Sequence, residues 1–78
     1  MAITDSALLL TIVDRVKRSE RERLPLTGKT LAEELALLDI PGWRVESAIY
    51  SLEYSRKLRV GKDGFLHSMM PPPNRGRP

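Results

Sequence analysis

Apolar side chains recur at intervals of three and four residues in the first third of the chain, and this spacing predicts an amphipathic helix from about Asp5 to Glu22. The expected buried stripe consists of Leu9, Ile12, Val13 and Val16. Thr4, Asp5 and Ser6 at the start of the pattern all carry side-chain oxygens suited to an N-cap. Residues 17–23 form a mixed run of charges, which is typical of a solvated last turn whose cations offset the helix dipole.

A second, shorter helical pattern begins at Thr30. Thr30 is followed three residues later by Glu33, a spacing typical of a capping box, so we expect the helix to start there and Gly28-Lys29 to form a turn before it. The expected buried stripe is Leu31, Leu35 and Leu38. A proline disfavours helical geometry in the residue before it, so the helix should end by Asp39, ahead of Pro41.

The four residues 39–42 contain a proline and a glycine, and their length fits the turn of a helix-turn-helix. A third helix is predicted from about Trp43 to Lys57. Its apolar arc consists of Val45, Ala48, Ile49 and Leu52, and its opposite arc consists of Trp43, Ser47, Tyr50, Ser51 and Tyr54. We expect the tyrosines to face outward, and Trp43 to pack against the turn at Ile40-Pro41.

Two short apolar runs near the end of the folded part predict a β hairpin. Residues 58–60 and 65–67 are the expected strands, and Gly61-Lys62-Asp63-Gly64 joins them with an Asp-Gly pair that favours a tight turn. A four-residue loop would place Phe65 on the inner face, whereas a three-residue loop with a bulge at Gly64 would place Leu66 there. The sequence leaves both registers open. Residues 24–27 predict a brief edge strand, because proline is tolerated at that position.

The chain has 78 residues and no cysteine, which allows one small domain without disulfides or a thiolate metal site. These elements together predict an α+β, mainly α fold over residues 1–68. Residues 69–78 contain three consecutive prolines and two arginines, and we expect a flexible tail. No run approaches the roughly 20 apolar residues of a membrane span, and the first ten residues do not resemble a signal peptide. We therefore expect a soluble, cytoplasmic protein that does not associate with membranes.

The charge of the folded part is nearly balanced but unevenly distributed. Residues 1–67 carry eleven basic and ten acidic side chains, a net charge of +1. Residues 1–27 sum to +1, residues 28–42 to −2 and residues 43–67 to +2. Any affinity for nucleic acid would therefore come from a local patch near the third helix, together with the tail, and not from the charge of the whole chain.

Catalytic and cofactor motifs are not evident in the sequence. Gly28-Lys29-Thr30 is similar to the end of a phosphate-binding loop, but that motif needs a glycine where Arg23 stands. His67 is the only histidine, so neither a metal site nor a Ser-His-Asp triad is expected. We predict that the protein is not an enzyme and takes no metal, cofactor or small-molecule substrate.

Over roughly residues 5–67, this order of elements resembles the winged helix-turn-helix superfamily of DNA-binding domains. The resemblance rests on Thr30-x-x-Glu33, on Pro41-Gly42, on the stripe of the third helix and on the Gly61–Gly64 loop. It implies that the third helix enters the major groove of DNA while the hairpin, called the wing, reaches an adjacent groove or the backbone. Lys62 would then lie at the tip of the wing.

The residue types on this surface suit such a use. The residues expected to contact DNA are Arg44, Ser47, Tyr50, Ser51, Tyr54, Lys57, Arg59 and Lys62, with Arg75 and Arg77 of the tail as further phosphate contacts. Arginine addresses guanine edges or phosphates, and small hydroxyl residues allow close approach to the backbone. Two carboxylates on the same helix, Glu46 and Glu53, oppose phosphate binding.

The resemblance predicts a small transcriptional regulator that binds double-stranded DNA. A single module binds DNA weakly, so we expect a homodimer or a protein partner that brings the domain to its site. The apolar surplus of the first helix suggests its Leu8/Leu10 side as a dimer contact. The alternative function is a protein-interaction module in which the aromatic side chains of the third helix form a hot spot: Trp43, Tyr50 and Tyr54.

Overall fold

The computed structural model describes residues 3–69, in which three helices precede a two-stranded antiparallel hairpin. The elements are α1 (Asp5–Glu22), α2 (Gly28–Ala36), α3 (Gly42–Tyr54), β1 (Leu58–Val60) and β2 (Leu66–Ser68). The predicted α+β, mainly α class and the winged-helix order of elements are confirmed. The predicted tail lies outside the described residues from position 70 onward.

α1 spans the predicted residues, but its buried face is rotated relative to the predicted stripe. The buried members are Leu8, Ile12, Val16 and Ser19. Ile12 and Val16 of the predicted stripe are buried, whereas Leu9 and Val13 are half-buried and pack against the edge of the core. Leu8 is 1% exposed and Leu10 is 66% exposed. Because Leu8 is buried in the core, only Leu10 of the predicted dimer contact is exposed at the surface.

α2 begins at Gly28, two residues before the predicted start at Thr30, and the capping box predicted at Thr30 is wrong. Thr27 is the N-cap, with its Oγ1 accepting the Thr30 N–H at 3.1 Å. An isolated β-bridge to Phe65 holds Thr27 in the extended conformation that an N-cap requires. Gly28 and Lys29 therefore form the first turn of α2 instead of a turn before it.

Each helix of the described residues is closed by a residue in the left-handed conformation. After α1, Arg23 has a φ of 58°, and the next N–H in the chain donates to the carbonyl of Ser19 at 2.9 Å. Asp39 and Arg56, with φ of 63° and 62°, hold the equivalent positions after α2 and α3. Glycine usually occupies such positions, so these helix ends lack their ordinary sequence signal. α3 accordingly ends at Tyr54, three residues earlier than predicted.

The turn between α2 and α3 buries Ile40 and leaves Leu38 in solvent. α2 stops at Ala36, so Leu38 no longer follows the helical stripe, and its predicted burial is wrong. Ile40 turns inward instead, because its N–H donates to the carbonyl of Leu35. The predicted apolar arc of α3 is confirmed, since its four members are all buried: Val45, Ala48, Ile49 and Leu52.

The hairpin adopts the register in which Leu66 faces inward. Leu66 pairs with Val60 and is buried, and Gly64 has a φ of 84°, as expected for the bulged three-residue loop. The Gly61 N–H closes this loop by donating to the carbonyl of Phe65 at 2.9 Å. The second strand is therefore Leu66–Ser68, one residue later than predicted.

The segment predicted as an edge strand pairs with the hairpin only at its end. The Leu66 N–H donates to the carbonyl of Leu26 at 2.7 Å, and Thr27 bridges Phe65. Leu26 is buried in the core while Leu24 is exposed, which agrees with an extended segment that has one face inward.

Two carboxylates of the helices tie the elements together. Glu34 of α2 receives two hydrogen bonds from Arg15 of α1, at 2.8 and 2.9 Å. Glu20 of α1 accepts the hydroxyl of Ser68 at 2.6 Å and its backbone N–H at 3.1 Å, which attaches β2 to α1. These contacts set the positions of α2 and the wing relative to the longest helix.

Candidate nucleic-acid interface

The outward face of α3 carries three large aromatic side chains. Trp43, Tyr50 and Tyr54 are 71%, 70% and 84% exposed. They lie opposite the buried arc on the helix, so the predicted outward direction of the tyrosines is confirmed. The predicted packing of Trp43 against the turn is wrong, because the start of α3 is oriented by burial of Val45 and Ile40 instead. These three aromatic residues are called the aromatic strip below.

Ser47 and Ser51 lie beside the aromatic strip, on the side that faces α1. Both are exposed, and both line a small cleft between α1 and α3 together with Leu9. Their hydroxyls can donate and accept hydrogen bonds without obstructing a close approach to the helix. The structure therefore places Ser47, Tyr50, Ser51 and Tyr54 on one continuous surface.

Arg44 lines the same cleft as Ser47 and Ser51, and its guanidinium contacts the N-terminal end of α1. Its Nη2 lies 3.0 Å from Asp5 Oδ1 and also donates to the carbonyl of Ile3. The side chain is 21% exposed. The guanidinium of Arg44, which the sequence assigns to DNA, therefore forms hydrogen bonds within the domain. The partners lie 39 and 41 residues earlier in the chain, and a pattern within one helix gives no sign of them.

The face of α3 itself is not positively charged. Arg44 is the one basic residue in α3, whereas the helix contains two carboxylates, Glu46 and Glu53. Both carboxylates are exposed, and neither forms an ion pair with another residue in the range 3–69. A phosphate backbone next to this helix would therefore meet hydroxyls, aromatic rings and two negative charges.

Positive charge is concentrated immediately after α3. Residues 56–62 contain four basic side chains and no carboxylate: Arg56, Lys57, Arg59 and Lys62. All four are exposed, and within residues 3–69 none of them is joined to a carboxylate by an ion pair. Lys57, Arg59 and Lys62, called the wing cations below, follow β1 from the end of α3 into the loop. This basic edge was expected from the sequence.

Other candidate chemistry finds little support in the described part of the chain. His67 Nδ1 lies 3.9 Å from Glu20 Oε2, and residues 3–69 contain no cluster of three potential metal ligands. Among the same residues, no helix is both long and apolar enough to span a bilayer. The predicted tail contacts, Arg75 and Arg77, lie outside the described residues.

No protein family, curated protein or solved structure matches the chain. The order of helices and strands matches that of a winged helix, but membership of the winged helix-turn-helix superfamily stays a prediction.

Proposed function

We propose that this protein binds double-stranded DNA inside the cell, as a small transcriptional regulator that inserts α3 into the major groove and rests the wing on the backbone. The observation that supports this proposal is the row of exposed wing cations, which follows α3 directly in the chain. A row of unpaired cations next to a projecting helix suits a duplex, whose phosphates border the groove that a helix fills.

The proposed contacts divide into two kinds. Ser47, Tyr50 and Ser51 lie in the middle of α3, where hydroxyls can hydrogen-bond to base edges or to phosphates, and Tyr54 follows at its end. The wing cations supply the electrostatic part of binding, which positions the domain without reading sequence. Arg44 is not needed for either part, because its guanidinium holds the N-terminus of α1.

The wing cations also set the expected strength of binding. Three phosphate contacts give a slope of about −3 in log K against log salt for duplex DNA. Non-specific complexes of this type dissociate at roughly 10⁻⁴–10⁻⁶ M at physiological salt, and Glu46 and Glu53 reduce the affinity further. We therefore expect weak binding by one copy that is readily measured only at low salt.

A fluorescence anisotropy titration with a mixed-sequence duplex at two salt concentrations tests the proposal. Wild-type protein should bind at low salt, and Arg59→Ala or Lys62→Ala should each weaken binding and reduce the salt slope by about 1. Lys29→Ala is the matched control, because Lys29 is an exposed cation on α2, outside the proposed interface. Absence of binding at low salt, or equal effects of the Lys29 and Lys62 variants, would contradict the proposal.

The aromatic strip favours a second candidate function, recognition of a protein partner. Three aromatic side chains at least 70% exposed on one helix face are an unusual amount of apolar surface for a domain of this size. Glu46 and Glu53 beside them would attract a partner with basic residues. Glu53→Gln separates the candidates: it should strengthen DNA binding several-fold if α3 faces phosphates, and have no such effect if α3 faces a protein.

A further inference from the structure

An open groove with an apolar floor lies between α1 and the C-terminal end of α3. Its volume is about 730 Å³. The floor is formed by Leu9, Leu10, Val13, Leu52 and Met69. Leu10 and Met69 are 66% and 40% exposed, so the groove includes apolar side chains that the described part of the chain leaves partly uncovered. It is called the α1–α3 groove below.

The rim of the α1–α3 groove is basic. Lys17 of α1 and Arg56 and Lys57 after α3 line it, and none of the three forms an ion pair with a carboxylate of residues 3–69. An occupant that fits this groove has apolar side chains at its centre and carboxylates beside them, because apolar burial and charge complementarity then act together.

The turn after α2 has that chemistry. Leu37 and Leu38 are adjacent and 85% and 65% exposed, and they are called the leucine knob below. Glu33, one helical turn before Leu37, and Asp39 provide exposed carboxylates that form no ion pair with the other described residues. Residues 28–42 carry one basic and three acidic side chains, a net charge of −2.

The leucine knob is held in place by its own backbone. The N–H groups of Leu38 and Asp39 donate to carbonyls of the last turn of α2, at 2.9 and 3.0 Å. Ile40, two residues after the knob, is buried and anchors the turn to the core. A rigid turn that already presents its apolar side chains loses little conformational freedom when it is bound, which favours association.

We propose that copies of this chain associate head to tail, with the leucine knob of one copy seated in the α1–α3 groove of the next. The knob lies before the start of α3, and the basic rim at Arg56 and Lys57 lies after its end. The two surfaces are therefore separated by about 20 Å, the length of a 13-residue helix. A contact between two different surfaces leaves a groove free on one copy and a knob free on the other. Association can therefore continue beyond a pair.

The contact is small, and its expected strength follows from its size. Two leucines and two carboxylates cover much less than the roughly 1,000 Å² expected of a stable interface, so dissociation constants should lie between about 1 μM and 1 mM. Association is then seen in concentrated solution. The α1–α3 groove shares Ser51 and Lys57 with the proposed DNA surface, but association is expected without DNA and therefore does not require DNA binding.

Sedimentation of the full chain over a range of concentrations up to about 1 mM tests this proposal. The average mass of wild-type protein should rise above that of one copy. Leu38→Lys adds a cation opposite the basic rim, and Leu10→Lys adds one inside the groove, so each variant alone should remain a monomer. Both side chains are exposed, and the folded state should tolerate both changes. Leu24→Lys, at another exposed leucine, should associate like wild type.

An equimolar mixture of the two monomeric variants gives the decisive result. The Leu10→Lys variant retains an intact knob, and the Leu38→Lys variant retains an intact groove. The mixture should therefore form pairs of twice the monomer mass and nothing larger. Wild-type protein that stays monomeric, a mixture that stays monomeric, or loss of association in Leu24→Lys would each overturn the proposal. Sedimentation without DNA reports only the contact between copies, and DNA titration at low protein concentration reports only binding by one copy, so the two proposals succeed or fail separately.

Discussion

Arg44 of α3 and Asp5 of α1 form an ion pair at 3.0 Å that joins the first turns of the two helices. The same guanidinium donates to the carbonyl of Ile3, so Arg44 holds the segment that leads into α1. This arrangement fixes the direction of α3 relative to the longest helix. It also pairs the one basic residue of α3 with a carboxylate of α1.

Arg44→Ala should therefore affect stability more than DNA affinity. Loss of the half-buried hydrogen bond and the ion pair should lower the free energy of unfolding by about 1–2 kcal/mol, measured by urea unfolding. Asp5→Asn should lower it by about 0–1 kcal/mol, because Asp5 is exposed and its ion pair is screened by solvent. A large loss of DNA affinity in Arg44→Ala with unchanged stability would show that Arg44 contacts DNA.

The Arg15–Glu34 pair predicts a pH dependence of stability. The hydrogen bond from Arg15 lowers the pKa of Glu34, and the charges of Arg15 and Arg18 lower it further. Because the pKa is lower in the folded state, this contribution is complete above the pKa of an unfolded glutamate. It is lost as the pH falls through the lowered folded value. Glu34 is 41% exposed, so the contribution should be about 0.5–1 kcal/mol.

Comparison of wild type with Glu34→Gln by urea unfolding measures this contribution. The variant should be less stable at neutral pH, and the difference should shrink as the pH falls below the ordinary pKa of a glutamate and then through the lowered pKa of Glu34 in the folded state. A difference that stays constant across this pH range would show that the charge of Glu34 does not stabilise the fold.

Alanine substitution of two threonines at the start of α2 should change the free energy of unfolding by different amounts. Thr27→Ala removes the N-cap hydroxyl and should lower the free energy of unfolding by about 1 kcal/mol. Thr30→Ala leaves that cap in place and puts a better helix former in the first turn, so it should change stability by less than about 0.5 kcal/mol. Thermal or urea unfolding distinguishes the two, and a larger loss for the Thr30 variant would place the N-cap where the capping-box pattern suggests.

The left-handed residue after α1 predicts a stabilising substitution. Arg23 has a φ of 58°, a conformation that is unfavourable by about 1–2 kcal/mol for residues other than glycine. Arg23→Gly should raise the free energy of unfolding by about 0.5–1 kcal/mol, since part of the gain is offset by the flexibility of glycine in the unfolded chain. Arg21→Gly, two residues earlier inside the helix, is the matched control and should lower it by about 1 kcal/mol. A loss of stability in both variants would contradict this assignment.

Periodic patterns predicted the parts of the fold that depend on many residues at once. The bounds of α1 and the buried arc of α3 follow from repeated apolar spacing, and the hairpin follows from its Asp-Gly loop. The choice between Phe65 and Leu66 required the structure, because a shift of one residue satisfies the same local pattern.

The failures of prediction concern features decided by single distant contacts. Thr27 and Thr30 are equally suited to an N-cap, and a bridge to Phe65 selects Thr27. The ion pair between Arg44 and Asp5 could not be predicted either, because it depends on how two helices pack, and the DNA contact assigned to Arg44 stays a prediction. Trp43 is exposed because the start of α3 is oriented by other residues, which a pattern within one helix does not show.

The central claim is that the outward face of α3 and the wing together form a surface for DNA. Amide chemical-shift mapping of the full chain with a mixed-sequence duplex at low salt tests it most directly. The largest changes should fall on Ser47, Tyr50 and Ser51 of α3 and on Arg59 and Lys62 of the wing. Changes confined to residues outside α3 and the wing, or no change at any DNA concentration, would contradict it.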